Sequence, residues 1–209
     1  KIKKEIKKKS IKIHTLQSIF YELDYLDLSK NNNKDLIDRF KKIISFAKNF
    51  SIKQISIGSI PSRRYLFNKK KLFKINLILF KQLLQIASKS KIILCIEPIS
   101  YKYSNKFLTN HDEVITFIKK INNKYLKLLL DTGNLDESKQ DFKKIFLKYR
   151  EHIHHIHLSN QNLKNLNLNK IKKYYQTLKD NNYNGSFSFE YIANKGIKLN
   201  QISKIIKKI

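Results

Sequence analysis

The chain has one cysteine, Cys95, in 209 residues. That excludes an intrachain disulfide and any cysteine-rich zinc module, and it fits a reducing interior. Long apolar runs are also missing. None approaches the roughly 20 residues needed to span a bilayer, and the Lys-rich first residues hold no apolar core of a secretion signal. Cytoplasm is therefore the expected compartment, with no membrane partner. Proline occurs 2 times, glycine 4 times and tryptophan not at all, while Lys, Ile, Asn, Leu, Phe and Tyr crowd the sequence. A/T-rich codons produce such a bias. Acidic residues are the other shortage: 16 Asp and Glu stand against 44 Lys and Arg, a formal charge of +28. A field of that size attracts polyanions whatever the fold. Much of it is compositional background, because Lys is spread through almost every segment.

What is present is a core and a rhythm. With 41% hydrophobic residues, the chain can bury a substantial interior, and residues 1–209 read as a single domain. Short apolar runs of β type are expected at Ile11–His14, Ile52–Ile57, Lys91–Ile96, Leu126–Leu130, His154–Leu158 and Ser186–Phe189. Charged helical stretches are expected at Lys34–Asn49, Asn76–Ser88, His111–Ile121, Lys139–Tyr149, Asn169–Asp180 and Asn200–Ile209. The strand starts recur at the spacing of a βα unit, roughly 30 to 40 residues, so the alternation argues for an α/β fold with a parallel sheet. A doubly wound open sheet and a TIM barrel both remain open on this evidence.

The scarce acids fall where they matter. Glu97 follows the run to Ile96, Asp131 follows Leu126–Leu130, and Glu190 follows Ser186–Phe189; His157 lies near the end of the intervening apolar run. In a parallel α/β protein all carboxyl ends of strands open on one face, where active sites are built. Two Glu, one Asp and one His on that face would form an oxygen-rich site suited to Mn²⁺ or Mg²⁺, with Zn²⁺ or Co²⁺ also compatible. Counting back by twos places His155 on the face of His157, and Ser186 and Ser188 on the face of Glu190. A single acid after a strand ordinarily caps a helix. Recurrence at neighbouring strands favours the metal reading instead.

Leu94-Cys95-Ile96-Glu97-Pro98, then Asn105 to Thr109, then Leu130-Asp131-Thr132-Gly133-Asn134 resemble the sugar phosphate isomerase/epimerase family with a xylose isomerase-like TIM barrel. His155-Ile156-His157-Leu158-Ser159 is similar to its His-x-His-x-Ser segment, and Gly185 to Glu190 to its final strand. Upstream, Leu16-Gln17-Ser18 and Gly58 to Arg64 resemble its Leu-Gln-Ser and Gly-Ser-Pro-x-x-Arg loops. The resemblance implies a TIM (β/α) barrel in which Glu97, Asp131, His157 and Glu190 bind one divalent metal, and Glu97 and Glu190 exchange protons with the substrate. It implies a small-molecule sugar or sugar phosphate as partner, contacted by Gln17 and Arg63, and no specific nucleic acid. Oligomeric state is left open.

Only about six βα units are expected here against the family's eight, with the Leu-Gln-Ser segment normally in the third. The first two units are expected to be missing, and Lys1 in place of Met fits a chain truncated at its N-terminus; an inactive basic remnant of the fold is the other reading of that shortfall. The same superfamily includes endonuclease IV-type enzymes that cut DNA at abasic sites. Those need a three-metal cluster with additional His ligands. Asn134 follows Gly133 where such a His would stand, and no Asp-Arg-His segment follows His157.

Overall fold

The structure is a computed structural model that describes residues 2–20, 34–58, 68–103, 105–163 and 166–192. The expected helix Asn200–Ile209 lies outside these residues. The chain divides into two compact units, Lys1–Lys127 and Leu128–Ile209.

The first unit opens with a short helix, α1 (Ile2–Lys8), that its Lys-rich sequence does not announce. Three parallel strands follow: β1 (Thr15–Leu16), β2 (Gln54–Ile57) and β3 (Ile93–Ile96). The first strand lies beyond the expected Ile11–His14. Ile11 is 53% exposed, so that apolar stretch meets no core. The ladder begins where Thr15 aligns with Gln54 and Leu16 with Ile55. All four residues of β2 are buried, as parallel strands covered on both faces require.

Between the strands run α2 (Lys34–Asn49), α3 (Lys69–Lys89) and, after β3, α4 (His111–Ile121). In α2 the buried residues Leu36, Phe40, Ile44 and Ala47 recur at helical spacing and form one apolar stripe. Helix α3 starts seven residues ahead of the expected Asn76. Asn68 caps it by accepting from the Lys71 N–H at 2.8 Å, which lets a lysine run form the first turn. Asn110 caps α4 in the same way at 2.9 Å.

Glu113, in the first turn of α4, accepts from the backbone and hydroxyl of Thr109 and from Lys69 at 2.9 Å. Lys69 also donates to the Tyr101 hydroxyl at 2.7 Å, tying the start of α3 to the loop between β3 and α4. Beneath that loop Phe73, Phe80 and Phe107 each meet Phe117 nearly edge-on, with ring centres 5.1 to 5.6 Å apart. Edge-to-face packing uses the ring quadrupoles as well as the buried area. Cys95 sits wholly buried in β3, and burial pushes its thiol up to about 12.

Strand β4 (Leu126–Asp131) crosses the boundary and delivers its last four residues to the second unit. There β4, β5 (Ile153–Ser159) and β6 (Ser186–Glu190) are parallel neighbours. Among the described residues of this unit the α-helices are α5 (Thr132–Glu137), α6 (Phe142–Tyr149) and α7 (Leu168–Asp180). Helix α5, too short for a periodic signal, follows Asp131 at once. The register sets Asp131 beside His157 and Ser159 beside Glu190. Among the described residues no helix is long and apolar enough to cross a membrane.

Phe117 is the hub of the aromatic cluster and fully buried. Phe117→Ala should cost about 3–5 kcal/mol of stability, seen as a lower urea midpoint; an unchanged midpoint would remove the cluster from the core's account.

Candidate active site

The carboxyl ends of β4, β5 and β6 bring three of the sequence-expected ligands together. Asp131 ends β4, His157 lies two residues before the end of β5, and Glu190 ends β6. Because side chains alternate along a strand and register fixes the level of each, all three project to one place. His157 Nδ1 lies 3.1 Å from Glu190 Oε2 and 3.9 Å from Asp131 Oδ2. The side chains of His157 and Asp131 are 1% and 6% exposed, and that of Glu190 is 24% exposed.

Asp131 does two jobs with its two oxygens. Oδ1 accepts from the Asn134 N–H at 2.7 Å and so caps α5. Oδ2 accepts from the Ser159 hydroxyl at 2.7 Å and faces His157. The cap expected of an isolated acid and the ligand expected of a site residue are therefore one carboxylate. Ser159 is itself locked in place. Its Oγ accepts from the Gly133 N–H at 2.9 Å, its N–H donates to Thr132 Oγ1 at 2.8 Å, and its carbonyl accepts from that same hydroxyl at 2.7 Å.

Behind this site His155 presents both ring nitrogens to hydroxyls, Ser186 at 2.8 Å and Ser188 at 3.1 Å. Its ring stands perpendicular to that of His157, with centres 5.2 Å apart. The alternation expected from sequence is thus realised in β5 and β6. Sequence reasoning gave no role to Ser159, although its position two residues after His157 places it on the same face.

Burial pushes the Asp131 carboxyl above the usual carboxylate range; the Ser159 and Asn134 hydrogen bonds and His157 pull it back, and the charge of Glu190 pushes it up again. Two acids and an imidazole held this close call for a positive charge among them. Donors each about 2.1 Å from one divalent ion stand about 3 to 4 Å apart, and one ligand atom from each of these residues lies within 4.8 Å of the others. The donor set fits a divalent cation.

In the first unit, Glu97 directly follows β3, its N–H donating to the Ile57 carbonyl at 3.1 Å. Its half-buried carboxylate rests against Gly58, where a Cβ would come within 2.7 Å of Oε2. Glycine there leaves the space that the carboxylate fills. Gln17, next after β1, is exposed, and Arg63 lies outside the described residues.

With this geometry in place, the family model described as "Xylose isomerase-like TIM barrel" matches residues 1–208. The chain belongs to that family. Its six described strands are strands of that barrel. Solved structures agree on the fold. A 3-keto-D-glucoside 4-epimerase from E. coli superposes with TM-score 0.79 at 13% identity, covering 99% of this chain and 82% of that one. An AP endonuclease of family 2 from Brucella melitensis gives 0.77 at 13% identity, covering 91% and 76%. A D-psicose 3-epimerase crystallised in the presence of D-fructose gives 0.73 at 19% identity, covering 98% and 72%. No curated protein matches the chain in sequence.

Two glycines separate structure from site. A Cβ at Gly133 would meet Ser159 Oγ at 2.6 Å and the Asn160 carbonyl at 3.0 Å, neither free to move far. Gly133→Ala should therefore cost about 1–3 kcal/mol, read as a lower melting temperature. Gly58→Ala meets the end of a flexible carboxylate and should leave melting nearly unchanged; a fall as large as that of Gly133→Ala would show the Glu97 carboxylate to be fixed in place.

Proposed function

We propose that the chain is a metal-dependent sugar or sugar-phosphate isomerase or epimerase, with Glu97, Asp131, His157 and Glu190 holding one divalent ion, Mn²⁺ or Mg²⁺ by preference and Zn²⁺ or Co²⁺ by compatibility. The observation that carries the reading is the convergence of Asp131, His157 and Glu190 at three neighbouring strand ends. Glu97 joins them by its equivalent position at the end of β3 and by the similarity of its segment to the family's motif.

The ion would supply a positive charge that polarises the substrate's oxygens and makes the adjoining C–H acidic. The protein's part is to move the proton. Asp131 cannot do so, since both its oxygens accept hydrogen bonds and the residue is 4% exposed. Glu190 and Glu97 are each only part-buried and keep a route to substrate. They are the proposed acid and base. Carboxylates working on opposite substrate faces give epimerisation, and return of the proton on the same face gives aldose–ketose isomerisation. His157 orients the site and does not carry the proton. Gln17 and Arg63 are proposed to contact the substrate.

The AP endonuclease neighbour makes abasic-site cleavage the second reading, because its fold likeness nearly equals that of the epimerase. The imidazoles favour the first. His155, the nearest further imidazole, has both ring nitrogens engaged by Ser186 and Ser188, so it is not available as a ligand of a larger cluster. Attraction of DNA at low salt follows from the +28 charge and does not separate the two.

Incubation with Mn²⁺ and a panel of ketoses and sugar phosphates in deuterated water should place label on the carbon next to the carbonyl. Glu190→Gln should lower that exchange at least about 100-fold with the fold retained by circular dichroism. No exchange across the panel together with specific incision of abasic DNA would overturn the isomerase reading, and undiminished exchange in Glu190→Gln would remove that residue from the acid–base pair.

A further inference from the structure

Two imidazoles on one face of β5 reach across to β6 in the same way. The register pairs His155 with Ser186, His157 with Ser188 and Ser159 with Glu190. His155 Nδ1 lies 2.8 Å from the hydroxyl of Ser186, at its own level, and Nε2 lies 3.1 Å from that of Ser188, the next residue on the same face of β6. His157 Nδ1 makes the corresponding diagonal and comes within 3.1 Å of Glu190 Oε2. The two diagonals run side by side, and the rings that make them meet edge to face.

What His155 fixes follows from where its partners sit. Ser186, Ser188 and Glu190 alternate along β6 and so share a face. Backbone pairing sets the spacing of two strands, whereas contacts between side chains across them set how one face leans toward the other. The buried ring of His155 is engaged at both nitrogens by the two residues that precede Glu190 on its face. A neutral imidazole has one donor and one acceptor nitrogen, and a hydroxyl takes either part, so both contacts are hydrogen bonds in either tautomer. The ring is planar and stiff, which makes the pair of bonds a brace between the strands.

That brace has a particular task at β6. The strand is half-buried along its whole length, and among the described residues β5 is its one neighbour in the sheet. Glu190 occupies its last position. A change in the tilt of β6 moves its end furthest, and the end is where the carboxylate meets His157.

We propose that His155 is a positioning residue for Glu190: through Ser186 and Ser188 it holds β6 at the distance and tilt that set the Glu190 carboxylate against His157. It thereby fixes the geometry in which Glu190 binds a cation and exchanges a proton. The cation and the proton rest on the proposed function; the brace rests on the geometry of β5 and β6.

The test is the Mn²⁺ affinity of the full chain by calorimetry, with melting followed alongside, in the parent, His155→Phe and His155→Gln. Phe keeps a planar ring beside His157 and loses both hydrogen bonds, whereas Gln keeps a donor and an acceptor. His155→Phe should bind Mn²⁺ about tenfold more weakly and His155→Gln should come within about threefold of the parent. In a Glu190→Ala background, His155→Phe should change the affinity less than about twofold, because the residue it acts through is gone. Parental affinity in His155→Phe overturns the proposal even if melting falls, since that is how a residue serving only the core behaves. An affinity in His155→Gln no better than in His155→Phe overturns it, as does the full loss with Glu190 absent. Should His155→Phe fail to fold, Ser186→Ala with Ser188→Ala removes the same two hydrogen bonds from the β6 side: weakened Mn²⁺ binding supports the brace and parental affinity overturns it. Proton exchange in deuterated water separates the two readings. Mn²⁺ binding without exchange in the parent removes the isomerase and leaves the brace to the affinities, whereas exchange with an affinity indifferent to residue 155 removes the brace alone. A parent that binds no Mn²⁺ overturns both.

Discussion

The hydrogen bond from Ser159 to Asp131 is the contact on which the candidate site depends. A buried carboxylate next to another acid is unstable unless something fixes it, and here β5 supplies the donor at 2.7 Å. Ser159 is fixed in turn by Thr132 and Gly133, the two residues after Asp131. The strand end and the helix start thus hold each other, and Gly133 is the residue small enough to let them approach. His157 then meets Asp131 and Glu190 without any loop having to close.

The charge of the chain takes on a different meaning beside that lock. Its +28 is carried by side chains distributed through almost every segment, whereas the few acids are placed. Glu113 anchors the loop after β3, Asp136 joins α5 to α7 through Lys170, and Asp131 and Glu190 flank His157. A protein with so few carboxylates has few positions at which a divalent cation can be held. The basic background raises the local concentration of any anionic substrate and carries no specificity.

Much of this is legible in the sequence, for reasons that can be named. β3 and β4 are largely buried and read as apolar runs, so their ends at Ile96 and Asp131 are visible to within a residue, whereas half-buried β6 shows its end at Glu190 through the alternation of Ser and Phe. Alternation along a strand is enough to put His155 on the face of His157, and Ser186 and Ser188 on that of Glu190. The features that are not legible depend on neighbours distant in sequence. Helix α5 is six residues long and held by a cap, so it has no period to read. The start of α3 is set by Asn68, and β1 by its register with β2. Gly58 and Ser159 have meaning only across strands, where Gly58 lies against the Glu97 carboxylate and the Ser159 hydroxyl donates to Asp131. Gln17 is exposed at a strand end, and Arg63 falls outside the described residues.

The proposed site holds a single cation by carboxylates and one imidazole. Electron spin-echo envelope modulation of the Mn²⁺-loaded chain tests it most directly, because a coordinated imidazole nitrogen modulates the echo and a carboxylate does not. One ion per chain coupled to one histidine nitrogen is expected, with the modulation lost in His157→Ala. Coupling to several histidine nitrogens, or modulation that survives in His157→Ala, would contradict it.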